Sequence, residues 1–395
     1  MKVVRFGDLY AIPSGNGLSR PTAVRGEGFR MIGMGELFAN DIISDMEMDR
    51  VQMSEREKKT FFIEIGDLLF ARQSLVAAGA GKCSIVKELR EPTTYESHLI
   101  RVRLDSKKCN PWFYYYLFKL PDNPIKAIVN QCAQAGIRGN ELAKVKVPLL
   151  NRVDQDKIAS ILSAYDNLIE NNNKRIKILE QMAENLYKEW FVRFRFPGHE
   201  TTPFENGIPK GWELRPLFDV ASVTYGFPFK SELFNNDESL NAVVRIRDIL
   251  DNKTDTYTSE SCDNRYLIKE NAILIGMDGL FHMCLWNGSR AFLNQRVVML
   301  NSKDDNICNY LLYLSVKPQI KFWEQTISGT TVAHLGDKHL KKVTVLVPTQ
   351  SILKKANERL QAYMEQKRSL FIMNQNLIKQ RDLLLPRLMS GKLAV

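Results

Sequence analysis

Apolar residues recur at two different spacings along this chain, and the contrast divides it into segments. Two long stretches lack glycine and repeat apolar positions in steps of three and four. The first runs from Asp154 to about Arg195, with Ile158, Ile161, Tyr165 and Leu168, then Ile176, Leu179, Ala183, Leu186 and Trp190, on one stripe. The second runs from about Ser351 to Met389, with Leu360, Tyr363, Leu370, Leu377, Leu384 and Leu388, interrupted by Lys367, Asn374 and Arg381. Such spacing predicts helices whose apolar stripes form a coiled-coil seam. A helix of about 40 residues is roughly 60 Å long, more than a small domain spans, so the two are expected to pack on each other.

Ahead of the first helix lie short β-rich runs such as FFIEIGDLLFAR and SHLIRVRL, an aromatic helix near 111–120, and a last strand, KVKVPLL. Segments of this kind occur twice. Leu162, Tyr165, Leu179, Leu186 and Trp190 become Leu360, Tyr363, Leu377, Leu384 and Leu388 at a shift of 198 residues. The same shift places HLIRVRL (98–104) on RVVMLNS (296–302), PWFYYYLFKL (111–120) on NYLLYLSVKP (309–318) and LAKVKV (142–147) on LKKVTV (340–345). Upstream it becomes 205, with GDLLFARQSL (66–75) on NAILIGMDGL (271–280), and near the start 209, with LYAIPSGNGL (9–18) on FDVASVTYGF (218–227). The expected organisation is α+β, with globular units at 1–153 and 197–349 and long helices at 154–196 and 350–395.

Composition adds a partner class. The 395 residues carry a formal charge of +10 and a pI near 9.2, which favours a polyanion such as nucleic acid. Six widely spaced cysteines without a C-x-x-C pair give neither a zinc site nor a disulfide framework, and no metal is expected. The N-terminus has no apolar signal region and no run approaches eighteen apolar residues, so a cytoplasmic protein without membrane association is expected.

Two motifs invite a catalytic reading and fail it. GAGK (79–82) suggests a phosphate loop, but G-x-x-x-x-G-K-[ST] would need glycine where Val76 stands and a hydroxyl where Cys83 stands. The 205 shift sets Lys82 against Asn287, and a turn between strands fits better, with Lys82 facing DNA. NPWF (110–113) is one residue from the N-P-P-[FY] of amino-methyltransferases, but Pro111 reads as the first residue of a helix. The five histidines are scattered, and no paired-carboxylate, Ser-His-Asp or H-E-x-x-H constellation appears.

NGIPKGWELRPLFDV (206–220), GFPFKSELF (226–234), PLLNRVDQDKIASILSAYDNLIENN (148–172), ENLYKEWFVRFRFPG (184–198) and RDLLLPRLMSGKL (381–393) resemble the specificity subunit of type I restriction-modification systems. The first unit departs from that pattern, opening at MKVVRFGDL without an IPxGW entry. The resemblance implies two target recognition domains, each reading half of a split site in double-stranded DNA. It also implies an antiparallel coiled coil that spaces them and receives two modification subunits. S-adenosylmethionine would act on those partners in adenine-N6 methylation, and ATP with magnesium on the restriction subunits, leaving this chain without catalytic residues or cofactor. Helices about 60 Å long at 3.4 Å per base pair cap the centre-to-centre spacing at roughly 18 base pairs, and half-sites one to one and a half turns apart are expected.

Base and phosphate contact needs donors on loops. The candidates are Arg138, Asn140 and Lys144 in QAGIRGNELAK (134–144) and their counterparts His334, Lys338 and Lys342 in TTVAHLGDKHLKK (330–342). Arg72, Gln73, Tyr225 and Lys230 join them, and because the two sets differ, an asymmetric target is expected. Two rivals remain: a stand-alone DNA methyltransferase, which would need the missing cofactor loop, and a helical scaffold whose units bind proteins.

Overall fold

The computed structural model describes residues 2–74, 79–131, 135–327 and 333–393; Leu75, Val76, Cys132, Gln134 and Thr330 to Val332, all within segments discussed above, lie outside them. The chain forms two compact units, Met1–Glu170 with Asn374–Val395, and Asn171–Met373. The division falls inside both long helices, Arg152–Tyr187 and Gln350–Met389, the first of which ends in a wider turn at Lys188–Val192.

In the first unit a five-stranded sheet is ordered Tyr10–Asn16, Leu99–Leu104, Leu68–Ala71, Cys83–Val86 and Ile42–Ile43. Lys2–Arg5 pairs antiparallel with Lys146–Leu149. A smaller sheet joins Asp49–Val51, Phe29–Ile32 and Thr93–Tyr95. The helix Pro111–Lys119 buries Phe113, Tyr114 and Phe118 against the main sheet, and Phe6, Phe70 and Phe118 meet edge to face. Its start explains NPWF: the Asn110 side chain accepts from the Trp112 N–H at 2.9 Å, and Pro111 occupies the first turn, where no N–H is missed.

The second unit repeats the plan. Its main sheet is ordered Ala221–Tyr225, Val297–Ser302, Ile273–Gly276 and Met283–Leu285, with Glu213–Pro216 paired to Thr344–Val347 and the helix Asn309–Thr326 packed on the core. The class is therefore α+β, built as a tandem repeat.

Strand register confirms the shifts read from sequence. Ile100 lies opposite Asn16 on one side and Phe70 on the other; Val298 lies opposite Tyr225 and Ile275, which are the residues 209 and 205 positions further on. A one-residue slip would turn every side chain of a strand to the wrong face, so length differences fall in turns. One such turn corrects an expectation. Cys83 pairs with Phe70 and Met283 with Ile275, so the second copy's hairpin is five residues shorter, and Lys82 corresponds to His282, not Asn287.

Each unit's core is closed by one stretch from each long helix, and the two helices run antiparallel as a coiled coil. Ile158 and Leu162 with Leu385, Leu388 and Met389 belong to the first core; Ala183, Trp190 and Phe191 with Leu353, Ala356 and Leu360 belong to the second. Leu179 and Leu370 are buried, and Tyr165, Ile176, Leu186, Tyr363, Leu377 and Leu384 are half-buried. Two of the positions expected in the seam are not there: Ile161 is 38% and Leu168 52% exposed. Ile158, Leu162 and Asp166, four apart, take the inward face; Ile161 lies one step from it and Leu168 two, turned about 100° and 200° around the helix.

Candidate nucleic-acid interface

Each main sheet ends in an irregular edge where two chain segments meet, and the two edges are built alike. In the first unit Arg72 N–H donates to the His98 carbonyl at 2.8 Å, and the Arg72 carbonyl accepts from Ile137 N–H at 2.9 Å. In the second, Met277 N–H donates to the Arg296 carbonyl at 3.0 Å and its carbonyl accepts from Leu335 N–H at 2.8 Å. Gln73 then pairs with Gly136, and Asp278 bridges to His334. The backbone is the same and the side chains differ.

On the first edge His98 Nδ1 lies 3.1 Å from Gln73 Oε1, and exposed Arg138 precedes the short helix Gly139–Lys144, which carries exposed Asn140 and Lys144. Arg72 is half-buried. On the second edge His334 Nδ1 lies 2.6 Å from Asp278 Oδ1, and Arg296 Nε lies 3.4 Å from Asp278 Oδ2. The helix Asp337–Leu340 follows, with exposed Lys338 on it. The structure thus brings Arg72, Gln73, Arg138, Asn140 and Lys144 to one edge and His334 and Lys338 to its counterpart.

The remaining candidates sit differently. The Lys82 ammonium donates to the Phe38 carbonyl at 2.6 Å and pairs with Asp41 at 3.2 Å, so it is engaged inside its own unit instead of being offered to DNA. Burial opposes ionisation of Asp41, but Lys119 and Lys82 outweigh it and hold the carboxyl below its usual value. Tyr225 donates its hydroxyl to Asp337 Oδ1 at 3.0 Å, which fixes the start of the short helix. Lys341, and then the Tyr225 hydroxyl, hold the Asp337 carboxyl low. Lys342 is exposed, with its ammonium 5.6 Å from the Trp323 ring centre, and Lys230 is exposed beside a 3.0 Å bond from its own N–H to Glu260.

Sequence reasoning missed His98, Asp278 and Arg296. The signal was present: His98 and Arg296 open the segments matched at a shift of 198, and both are donors.

Residues 1–181 and 209–375 match the family described as the type I restriction modification DNA specificity domain. The chain belongs to that family. Among curated relatives, the type I restriction enzyme MjaIX specificity subunit of Methanocaldococcus jannaschii is 29% identical over 304 residues, which are 72% of this chain and 69% of that one. The type I restriction enzyme EcoBI specificity subunit of Escherichia coli is 30% identical over 159 residues, 40% of this chain and 34% of that one. The crystal structure of a type I S subunit from M. genitalium shares the fold, with a TM-score of 0.59 at 14% identity, covering 98% of this chain and 95% of that one. As a type I specificity subunit, the chain has its role in DNA recognition within a restriction-modification complex, binding DNA and other subunits and not itself catalysing. Among the described residues no helix is long and apolar enough to cross a membrane.

Proposed function

We propose that each unit reads one half of an asymmetric, bipartite DNA site through its matched edge. The observation that supports this reading is one backbone frame carrying unlike polar groups: Gln73, His98 and Arg138 on one, Asp278, Arg296 and His334 on the other. Glutamine offers the paired donor and acceptor that suit adenine, a carboxylate accepts from cytosine, and arginine suits guanine or phosphate. Different side chains on one frame read different bases.

The long helices set the gap between half-sites and dock two modification subunits. Exposed apolar side chains on the first helix suit that docking: Val153, Ile161 and Leu168 in the first unit, Ile178 and Met182 in the second. Those partners bind S-adenosylmethionine and methylate adenine at N6, and restriction subunits use ATP and magnesium to cut, all in the cytoplasm. The test is co-expression with the cognate modification subunit and genome-wide mapping of methylated adenines. A motif of two unlike halves with a fixed gap is expected, and Asp278→Ala should relax one half alone. Methylation by this chain without a partner, or a complex that methylates no motif, overturns the reading.

A further inference from the structure

Within the first unit, three polar groups meet in the seam between the aromatic helix and the two long helices. Asp166 is 8% exposed. Its Oδ2 accepts from the Tyr116 hydroxyl at 2.6 Å and its Oδ1 from Arg381 Nη1 at 2.6 Å. Asp166 lies on the first long helix and Arg381 on the second, so the cluster joins residues 215 positions apart. At the shift of 198 the corresponding residues of the second unit are Leu314, Met364 and Ala183, which pack together in its apolar core.

The second unit has its own cross-helix ion pair, Lys367 with Glu180 at 2.5 Å. The corresponding residues of the first unit are Ile169 and Ile378. Each unit therefore carries a charge pair between the long helices where the other carries apolar side chains. Several apolar seam residues do not tell the copies apart, because Leu162 and Leu360, or Leu186 and Leu384, are identical, and others such as Trp190 and Leu388 differ only in size.

We propose that these complementary pairs select the partner of each long helix, so that a half containing the first recognition unit and first helix accepts only the opposite half and rejects a second copy of itself. Two N-terminal halves would set Asp166 against Ala183 and Glu180 against Ile169. Two C-terminal halves would set Arg381 against Met364 and Lys367 against Ile378. Asp166 is the buried member, and leaving it without Arg381 disfavours a site by roughly 100-fold or more; two N-terminal halves contain two such sites, and the more exposed Lys367–Glu180 pair adds less. In coiled coils, polar and charged positions of this kind set partner choice.

The test starts from the folded full chain with a protease site placed at exposed Gly198, cut after folding. Isotopically labelled and unlabelled cut chains are mixed in enough urea for fragments to exchange, returned to buffer, and weighed by native mass spectrometry. The expected result is mixed-label pairs of unlike halves, with like-half pairs at most about 1% of the total, given that preference. Like pairs at the statistical proportion would overturn the proposal without any variant. A second chain, Tyr116→Leu, Asp166→Met, Arg381→Ala, Glu180→Ile and Lys367→Ile, removes the distinction, and like pairs should then rise at least tenfold. Unchanged exclusion in that chain also overturns the proposal, by placing the selectivity elsewhere.

Discussion

Gly226→Ala tests whether the GFPF segment is fixed by backbone crowding or serves only as an exposed turn. A Cβ at Gly226 would lie 2.0 Å from the Asn294 carbonyl oxygen and 2.8 Å from that of Leu293, both backbone atoms without a rotamer to escape into. Relief needs a backbone shift of more than an ångström. That shift breaks the bonds from Gly226 N–H to the Val297 carbonyl (3.1 Å) and from Phe227 N–H to the Leu293 carbonyl (2.8 Å). Two such bonds contribute about 1–3 kcal/mol together, and overpacking adds about 1–3 kcal/mol, so the middle value is about 4 kcal/mol. For a unit of this size that lowers the melting temperature by roughly 8–16 °C. Scanning calorimetry should show the loss in the transition of the second unit. Gly35→Ala, where nothing lies within 4 Å and the residue sits in a helix, is the control and should be neutral or slightly stabilising. If the two variants melt within about 2 °C of each other, the crowding argument fails. Gly17, whose Cβ would lie 2.0 Å from the Tyr95 carbonyl oxygen, should reproduce the effect in the first unit.

Asp67, 1% exposed, accepts from Arg103 Nε at 2.8 Å and from the Glu64 N–H at 2.8 Å; Asp67→Ala removes these bonds while Arg103 keeps Glu64 and the Phe62 carbonyl, and should lower first-unit stability by about 2 kcal/mol, measured by urea titration. Burial, then Lys338 and Lys342, hold the His339 imidazole below its ordinary pKa, and its Nδ1 accepts from Gly336 N–H at 3.0 Å. Because the folded pKa is depressed, its contribution is present above the unfolded value near 6.5 and is lost as pH falls, so second-unit stability should drop below about pH 6.5 and His339→Gln should flatten that limb. Burial pushes the Cys109 and Cys284 thiols up to about 12, so both should resist alkylation at pH 8 until the chain unfolds, as mass mapping would show.

How much the sequence revealed depended on what each position must do. Strand pairing was legible because a strand cannot gain a residue without turning Leu68 or Ile273 out of the core, so shifts of 198, 205 and 209 survive as intact blocks. The hairpin after Phe70 has no such constraint. Carrying the 205 shift across it set Lys82 against Asn287 when the partner is His282. Apolar spacing found both long helices but placed Ile161 and Leu168 in the seam, because the inward face there is held partly by Gln155 and Asp166, which a hydrophobic pattern does not register. The edge residues His98, Asp278 and Arg296 were hidden for a related reason: they come together through backbone bonds between distant segments, from Arg72 to His98 and from Met277 to Arg296.

These limits share a physical origin. A duplicated fold must keep its apolar frame equal in both copies, since each core is closed by equivalent stretches of the same two helices, and Leu162 and Leu360 are both fully buried. Beyond changes of size such as Trp190 to Leu388 or Ile158 to Ala356, what distinguishes the copies falls to polar side chains. At the sheet edges those side chains are half-exposed, and exchanging Gln73 for Asp278 alters the hydrogen bonds offered without opening the apolar core. Inside the helix pair the same freedom is absent, because buried Asp166 needs Arg381 opposite it. One chain can thus vary what it reads at the edges while the cross-helix charge pairs keep its two halves from being interchangeable.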